Sequence, residues 1–78
     1  MTARMAIALR LLQASSRQAG VLENAATHAY GPLPAINWTT GRALARAGFA
    51  TIADPTMPGW RHELVLTEAG RSWRGDRA

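Results

Sequence analysis

Apolar residues near the start of the chain recur at the period of an α-helix. The stripe consists of Met5, Ala8, Leu9 and Leu12. Thr2 stands where a helix N-cap is expected, and the two serines from Ser15 onward offer a break in the helix. The pattern therefore predicts a first helix from about Ala3 to Ala14.

A second stripe of apolar residues follows after Gly20. It consists of Val21, Leu22, Ala25, Ala26, Ala29 and Tyr30. Helical spacing favours a second helix over this stretch, although Gly20 and the β-branched Val21 also allow a short strand near Val21 to Glu23. The segment Gly31 to Pro34 is predicted to be a turn or loop, because its two prolines fix the backbone and remove hydrogen-bond donors.

The third stripe has the clearest boundaries. Asn37 is a good N-cap, and Gly48 stands where a left-handed residue commonly ends a helix. The residues expected to face the core are Thr40, Ala43, Leu44 and Ala47. We therefore predict a third helix from about Trp38 to Ala47.

The period changes from helical to alternating after Gly48. Phe49 to Ala53 favours a strand, and the prolines and glycine of Asp54 to Gly59 are typical of a turn. The stretch Trp60 to Thr67 alternates between two faces, which predicts the second strand of a hairpin. One face has Trp60, His62, Leu64 and Leu66, and the other has Arg61, Glu63 and Val65. Thr67 is placed to cap a short last helix that ends at about Arg74.

Composition narrows the class of protein without naming one. A chain of 78 residues supports a single domain, which we place at residues 1–74 with a frayed tail at 75–78. The longest apolar stretch, Met5 to Leu12, is interrupted by Arg10 and falls far short of the roughly 20 residues that a membrane span needs. With no cysteine and no secretory pattern, we expect a cytoplasmic protein.

The charge balance favours a polyanionic partner. The chain has a net charge of +4, and all nine of its basic residues are arginine. A strongly basic domain is a candidate for binding nucleic acid. The total is only permissive, because the position of the arginines on the surface decides what they can contact.

Two runs of residues resemble winged-helix regulators. Arg42 to Ala50 is similar to the end of a recognition helix that leads into a first wing strand. Leu66 to Arg71 reads Leu-Thr-Glu-Ala-Gly-Arg and resembles the segment that leaves the wing in MarR-like repressors. The resemblance implies an α+β winged helix-turn-helix, in which three helices are followed by a two-stranded β-hairpin wing and a short C-terminal helical turn.

The outward face of the third helix carries the predicted DNA contacts. Thr39, Arg42 and Arg46 share one stripe, and arginine can bond guanine bidentately in the major groove. Gly41 is expected at an exposed position where its lack of a side chain would allow close approach to DNA. Asn37 and Trp38 lie at the helix N-terminus, which favours a phosphate. The predicted DNA-binding residues are Asn37, Trp38, Thr39, Gly41, Arg42, Arg46, Arg61 and Arg71.

Catalysis and metal binding have little support in the sequence. The acidic residues Asp54, Glu63 and Glu68 are dispersed, so that no pair is placed for acid and base roles. His28 and His62 lack nearby ligands of the kind a zinc site needs. We expect no enzyme activity, no cofactor and no metal.

The leading hypothesis is a sequence-specific protein for double-stranded DNA, a phage or bacterial transcription regulator or architectural factor. Because one short helix makes few base contacts, a homodimer or a cooperative assembly is expected. The alternative is a small inhibitor or adaptor that binds a partner protein through its hairpin, Trp60 and Trp73. A continuous positive face that includes Arg10 or Arg17 would favour DNA, and an exposed tryptophan patch would favour protein.

Overall fold

The computed structural model describes residues 1–24, 33–55 and 57–75. In these ranges the helices are Ala3–Ala14 (α1), Trp38–Arg46 (α2) and Glu68–Ser72 (α3), and the strands are Ala19–Glu23 (β1), Ala35–Asn37 (β2), Ala50–Ala53 (β3) and Glu63–Leu66 (β4). The described elements form an α+β fold in the chain order α1-β1-β2-α2-β3-β4-α3.

The four strands form one mixed sheet in the order β2-β1-β4-β3. β1 pairs with β2 in parallel and with β4 in an antiparallel direction, and β3 and β4 form an antiparallel hairpin. Val21 lies between Ala35 on one side and Glu63 on the other. β1 is therefore an interior strand that receives hydrogen bonds along both edges.

The predicted winged helix-turn-helix architecture is wrong, because the β3-β4 hairpin does not stand alone as a two-stranded wing but belongs to a mixed four-stranded sheet with β1 and β2. The predicted second helix fails at its start, where residues 19–23 form β1. The N–H of Val21 donates to the Pro34 carbonyl at 2.9 Å, and the N–H of Leu22 donates to the His62 carbonyl at 2.9 Å. These bonds to distant segments outweigh the local helical spacing. The alternative of a short strand near Val21 to Glu23 is confirmed.

Several other predictions fall on residues outside the described ranges. They concern the rest of the second predicted helix at 25–30, the start of the proline loop at 31–32, His28, and the last residues of the tail at 76–78.

The two long helices follow the sequence prediction closely. The hydroxyl of Thr2 accepts the N–H of Met5 at 3.2 Å and caps α1. At the end of α2, Gly48 has φ of 87°, a conformation that suits glycine. The N–H of Phe49 donates to the Leu44 carbonyl at 3.0 Å, so that the chain leaves the helix through a Schellman turn.

The core lies between α1, α2 and one face of the sheet. Its largest fully buried side chains are Leu9, Leu12, Leu22, Ile36, Leu44 and Leu64. Leu66 is also buried, as the alternation of β4 predicts. Trp73 packs against this core, whereas Trp60 is 66% exposed.

The end of β4 is joined tightly to the end of α2. Thr67 follows β4, and its hydroxyl donates to the Gly48 carbonyl at 2.7 Å while it accepts the N–H of Gly70 at 3.2 Å. Gly70 is buried so closely that a Cβ there would collide with the carbonyl oxygen of Phe49. The side chain of Gln13 donates to the carbonyls of Gly70 and Trp73, which fixes α3 on α1.

Candidate nucleic-acid interface

The exposed face of α2 carries Thr39, Arg42 and Arg46. These residues are three and four positions apart, so their side chains form one stripe along the helix. The opposite face contains Thr40 and Leu44, which are buried against the rest of the protein. The predicted direction of this helix is confirmed at these five positions.

Two residues of the predicted third helix, Gly41 and Ala47, depart from the prediction. Gly41 is buried rather than exposed, and a Cβ at this position would collide with Leu22 of β1. Glycine is needed there because the helix lies close against the sheet, so the backbone of Gly41 faces the protein and not a ligand. Ala47 was expected in the core but is exposed, because the helix ends at Arg46.

Trp38, at the start of α2, contacts one cationic and one aromatic side chain. The guanidinium carbon of Arg42 lies 5.1 Å from the centre of the Trp38 ring, within cation–π distance. The Trp38 ring also meets the His62 ring in an edge-to-face arrangement, with 5.2 Å between the ring centres. The exposed Arg42 side chain therefore packs against a partly buried ring.

Asn37 has a structural role at the start of α2. Its side-chain oxygen accepts the N–H of Thr39 at 2.9 Å. The predicted N-cap at Asn37 is therefore confirmed.

Arg61 and Arg71 are each engaged by the protein itself. The Arg61 side chain lies 3.1 Å from a carboxylate oxygen of Glu23, which is only 15% exposed. Arg71 donates to the carbonyl of Leu66 at 3.1 Å. These contacts reduce the freedom of both residues to reach a phosphate.

Ion pairs divide the arginines into two groups. Besides Arg61, Arg17 lies 3.8 Å from Glu63, and His62 lies 3.4 Å from Asp54. Neither Arg42 nor Arg46 pairs with an acidic side chain among residues 1–24, 33–55 and 57–75. The predicted face that joins α2 to Arg17 and Arg61 is thus partly neutralised at these two arginines, whereas Arg42 and Arg46 on α2 have no acidic partner in the described ranges.

A second group of arginines lies around α3. The guanidinium of Arg10, on α1, lies 5.7 Å from the centre of the Trp73 ring. Arg74 donates to the carbonyls of Arg71 and Trp73 at 3.4 and 3.2 Å. Cations at a helix C-terminus interact favourably with its dipole, which gives this group a structural role.

The loop before β4 exposes two large apolar side chains, Met57 at 55% and Trp60 at 66%. Trp60 borders an open groove that Glu23, Trp38 and His62 also line. Trp60 precedes β4 and Trp73 follows it, so they lie beyond opposite ends of the strand and do not form one tryptophan patch.

The described residues hold no helix long and apolar enough to cross a membrane. In the same ranges, no group of three or more histidine, cysteine or acidic side chains is gathered as metal ligands would be.

Comparison with known proteins finds no matching family model, no matching curated protein and no matching solved structure. The resemblance to MarR-like repressors therefore gains no support, and the argument for function depends on the surface of this chain.

Sequence reasoning missed the contacts that organise the site. The edge-to-face contact of Trp38 with His62 joins α2 to the residue before β4. The pair of Arg61 with Glu23 joins the segment before β4 to β1. Neither contact has a local sequence signal, because the partners are distant in the chain. Arg4 was also overlooked, although it lies beside Thr39 in a groove between α1 and α2.

Proposed function

We propose that this protein binds double-stranded DNA by placing α2 in the major groove, and that it acts by binding alone, as a cytoplasmic regulator or architectural factor. The observation that carries the proposal is the exposed stripe of Thr39, Arg42 and Arg46, in which neither arginine has an acidic partner in the described ranges. Such a stripe is chemically suited to guanine edges, phosphates and thymine methyl groups.

The dimensions of α2 support this role. With its side chains, an α-helix such as α2 is about 10 to 12 Å across, and the major groove of B-DNA is about 12 Å wide and admits a helix. The buried face, with Thr40, Gly41 and Leu44, holds the helix firmly against the core. A rigid reading helix loses little conformational entropy when it binds.

Arg42 is the best candidate for reading a base. Its guanidinium lies over Trp38, a contact that favours one position of the side chain at the start of the helix. Arginine has a planar array of donors that matches the two acceptors of guanine. Arg46, one turn further along, extends the same contact towards the next base or phosphate.

The remaining predicted contacts take smaller parts in this proposal. Asn37 caps the start of α2, and Trp38 packs against Arg42 and orients it. Arg61 and Arg71 retain exposed surface and add a general attraction for phosphates, weakened by their contacts with Glu23 and the Leu66 carbonyl. Gly41 makes no contact with DNA, because it is buried.

The test is duplex binding by the whole chain over a range of salt concentrations, after selection of bound sequences from a random duplex pool. We expect Arg42→Ala and Arg46→Ala each to cost about 1 to 3 kcal/mol on the selected site and to relax base preference there. A matched control removes the same charge elsewhere, in the Arg10→Ala, Arg74→Ala double variant, and should retain base preference. The proposal fails if a folded Arg42→Ala, Arg46→Ala variant binds as tightly as wild type, or if wild type shows no salt-sensitive duplex binding.

A single nine-residue helix contacts few bases, so we also propose that two copies or a cooperative array occupy the DNA. Inverted repeats in the selected sequences, with centres about 10 base pairs apart, would support a symmetric dimer. A one-to-one complex on a site without repeats would contradict it.

A second candidate function is binding to a partner protein, favoured by the exposure of Trp60 and Met57 on the loop before β4. The two residues share one turn, in which the N–H of Trp60 donates to the Met57 carbonyl at 3.2 Å, and contiguous exposed apolar surface can mark an interaction site. Trp60→Ala separates the two functions, because it removes the apolar surface and leaves the stripe of α2 intact. Under the DNA proposal this variant retains the base preference of wild type.

A further inference from the structure

We propose that the groove between the first turn of α1 and the first half of α2 binds the sugar-phosphate backbone of the same duplex, with Arg4 as the phosphate contact. The inference rests on the proposed function, because it extends the DNA-binding surface from α2 to a second element. Nothing in the sequence patterns pointed to Arg4, which lies on a helix whose apolar stripe faces the core.

The groove brings residues of two helices together. It is lined by Thr2, Arg4 and Met5 on the side of α1 and by Thr39 and Ala43 on the side of α2. Thr39 belongs both to this groove and to the exposed stripe that contains Arg42. A DNA strand that contacts the stripe therefore passes next to the groove.

The charge of the groove suits an anion. Arg4 is exposed and pairs with no acidic side chain in the described part of the chain. Among the residues that the structure describes, none that lines the groove is acidic, and residues 1–22 contain neither aspartate nor glutamate. A phosphate placed here would meet the positive charge of Arg4.

Two hydroxyl groups add neutral hydrogen-bond donors. The Thr2 oxygen accepts the N–H of Met5 at 3.2 Å, which leaves its own hydrogen free to be donated outward. Thr39 is exposed at the opposite wall. Arginine and threonine side chains are common partners of DNA phosphates, and such contacts fix the register of the protein without reading sequence.

The position of Arg4 beside α2 favours backbone contact over base reading. Arg4 lies on α1, beside α2, and α2 is the helix that would occupy the major groove of the DNA. A contact of Arg4 with a phosphate would therefore orient α2 in the major groove. Loss of this contact should weaken binding to all DNA sequences alike.

The experiment compares Arg4→Ala with Arg10→Ala on the selected duplex and on an unrelated duplex, across salt concentrations, with thermal unfolding as the check on folding. Both variants remove one exposed arginine from α1, but Arg10 lies over Trp73 and away from the groove. We expect Arg4→Ala to lower the affinity for both duplexes by about fivefold. It should also lower by about one unit the slope of log affinity against log salt concentration, and Arg10→Ala should change neither quantity markedly.

A phosphate-specific measurement completes the test. Single methylphosphonates, which remove the charge of one phosphate, are placed in turn along the selected site. For wild type, one substitution should weaken binding about as much as Arg4→Ala does, and the two changes together should not add. An Arg4→Lys variant should recover most of the loss, because the charge is retained.

The outcomes separate the inference from the proposed function. Equal losses for Arg4→Ala and Arg10→Ala, or additive losses for Arg4→Ala and every methylphosphonate, would overturn a local site at Arg4. If Arg4→Ala leaves binding unchanged while the Arg42→Ala, Arg46→Ala variant loses binding, the inference of a phosphate contact at Arg4 is overturned and the proposed function is not. Absence of duplex binding by wild type would overturn both.

Discussion

The two ends of β4 are built in different ways. At the Leu66 end, Thr67 and Gly70 connect the strand to the end of α2 through hydrogen bonds and close backbone packing. At the Glu63 end, the preceding residues make partly exposed side-chain contacts, which include the pair of Arg61 with Glu23 and the ring of His62 against Trp38, besides the backbone hydrogen bond from Leu22 to His62.

The difference concerns what each end can lose. Backbone packing around Gly70 leaves no space for an added methyl group, so that end tolerates little change. The side-chain contacts at the Glu63 end are partly exposed to solvent, so their net contribution to the free energy of folding is small. We infer that the Leu66 end contributes to stability, whereas the Glu63 end, which holds Trp38 beneath Arg42, is free to serve binding.

The largest effect is expected for Gly70→Ala, because the new Cβ would overlap the Phe49 carbonyl oxygen. That carbonyl is fixed by the N–H of Thr67, at 3.0 Å, so it cannot move aside cheaply. We expect a loss of about 3 kcal/mol or more in the free energy of unfolding, measured by urea denaturation. The control is Gly59→Ala, where φ is 82° but no atom lies within 4 Å of the added Cβ, and a loss of about 1 kcal/mol is expected. Equal losses would show that the Leu66 end is not tightly packed.

A smaller effect is expected for Thr67→Val, which keeps the branched shape but removes the hydroxyl. The hydroxyl donates to the Gly48 carbonyl and accepts the N–H of Gly70, so both partners lose a bond. We expect a loss of about 1 to 2 kcal/mol in thermal or chemical unfolding. Thr51→Val, at an exposed position of β3, is the matched control and should change stability little. A Thr67→Val variant as stable as the control would remove the hydroxyl from the account of this end.

The smallest effect is expected at the Glu63 end, for the pair of Arg61 with Glu23. A double-mutant cycle with Arg61→Ala and Glu23→Gln should give a coupling energy below about 1 kcal/mol that decreases with added salt. The Arg61 side chain is 51% exposed, so water screens the interaction. A salt-independent coupling of more than about 2 kcal/mol would mean that both ends of β4 contribute comparably to stability.

Local signals explain why much of the candidate site was predictable. The side chains of Thr2, Asn37 and Thr67 act as N-caps where the sequence placed them, because a cap needs only a hydroxyl or amide two or three residues before a free N–H. The exposure of Arg42 and Arg46 likewise follows from the spacing of Leu44 and its neighbours, since the helix period fixes which side chains share a face.

The errors arose where distant segments meet. Residues 19–23 have a spacing compatible with a helix, yet β1 gains backbone hydrogen bonds from β2 and β4 that no local pattern announces. A parallel pair such as β1 with β2 has no hairpin turn to reveal it. Gly41 has the same cause, because its glycine is required only by the close approach of Leu22.

The sequence by itself determined α1, α2, the turn at Gly48 and the charge of the exposed stripe, since these depend on helix period, caps and a single backbone conformation. Only the tertiary structure decided the mixed sheet and the burial of Gly41. It also decided the contacts of Trp38 with Arg42 and His62, and the groove that Arg4 and Thr39 both line. Those features depend on which segments pack together, and packing is a property of the whole chain that short-range spacing does not encode.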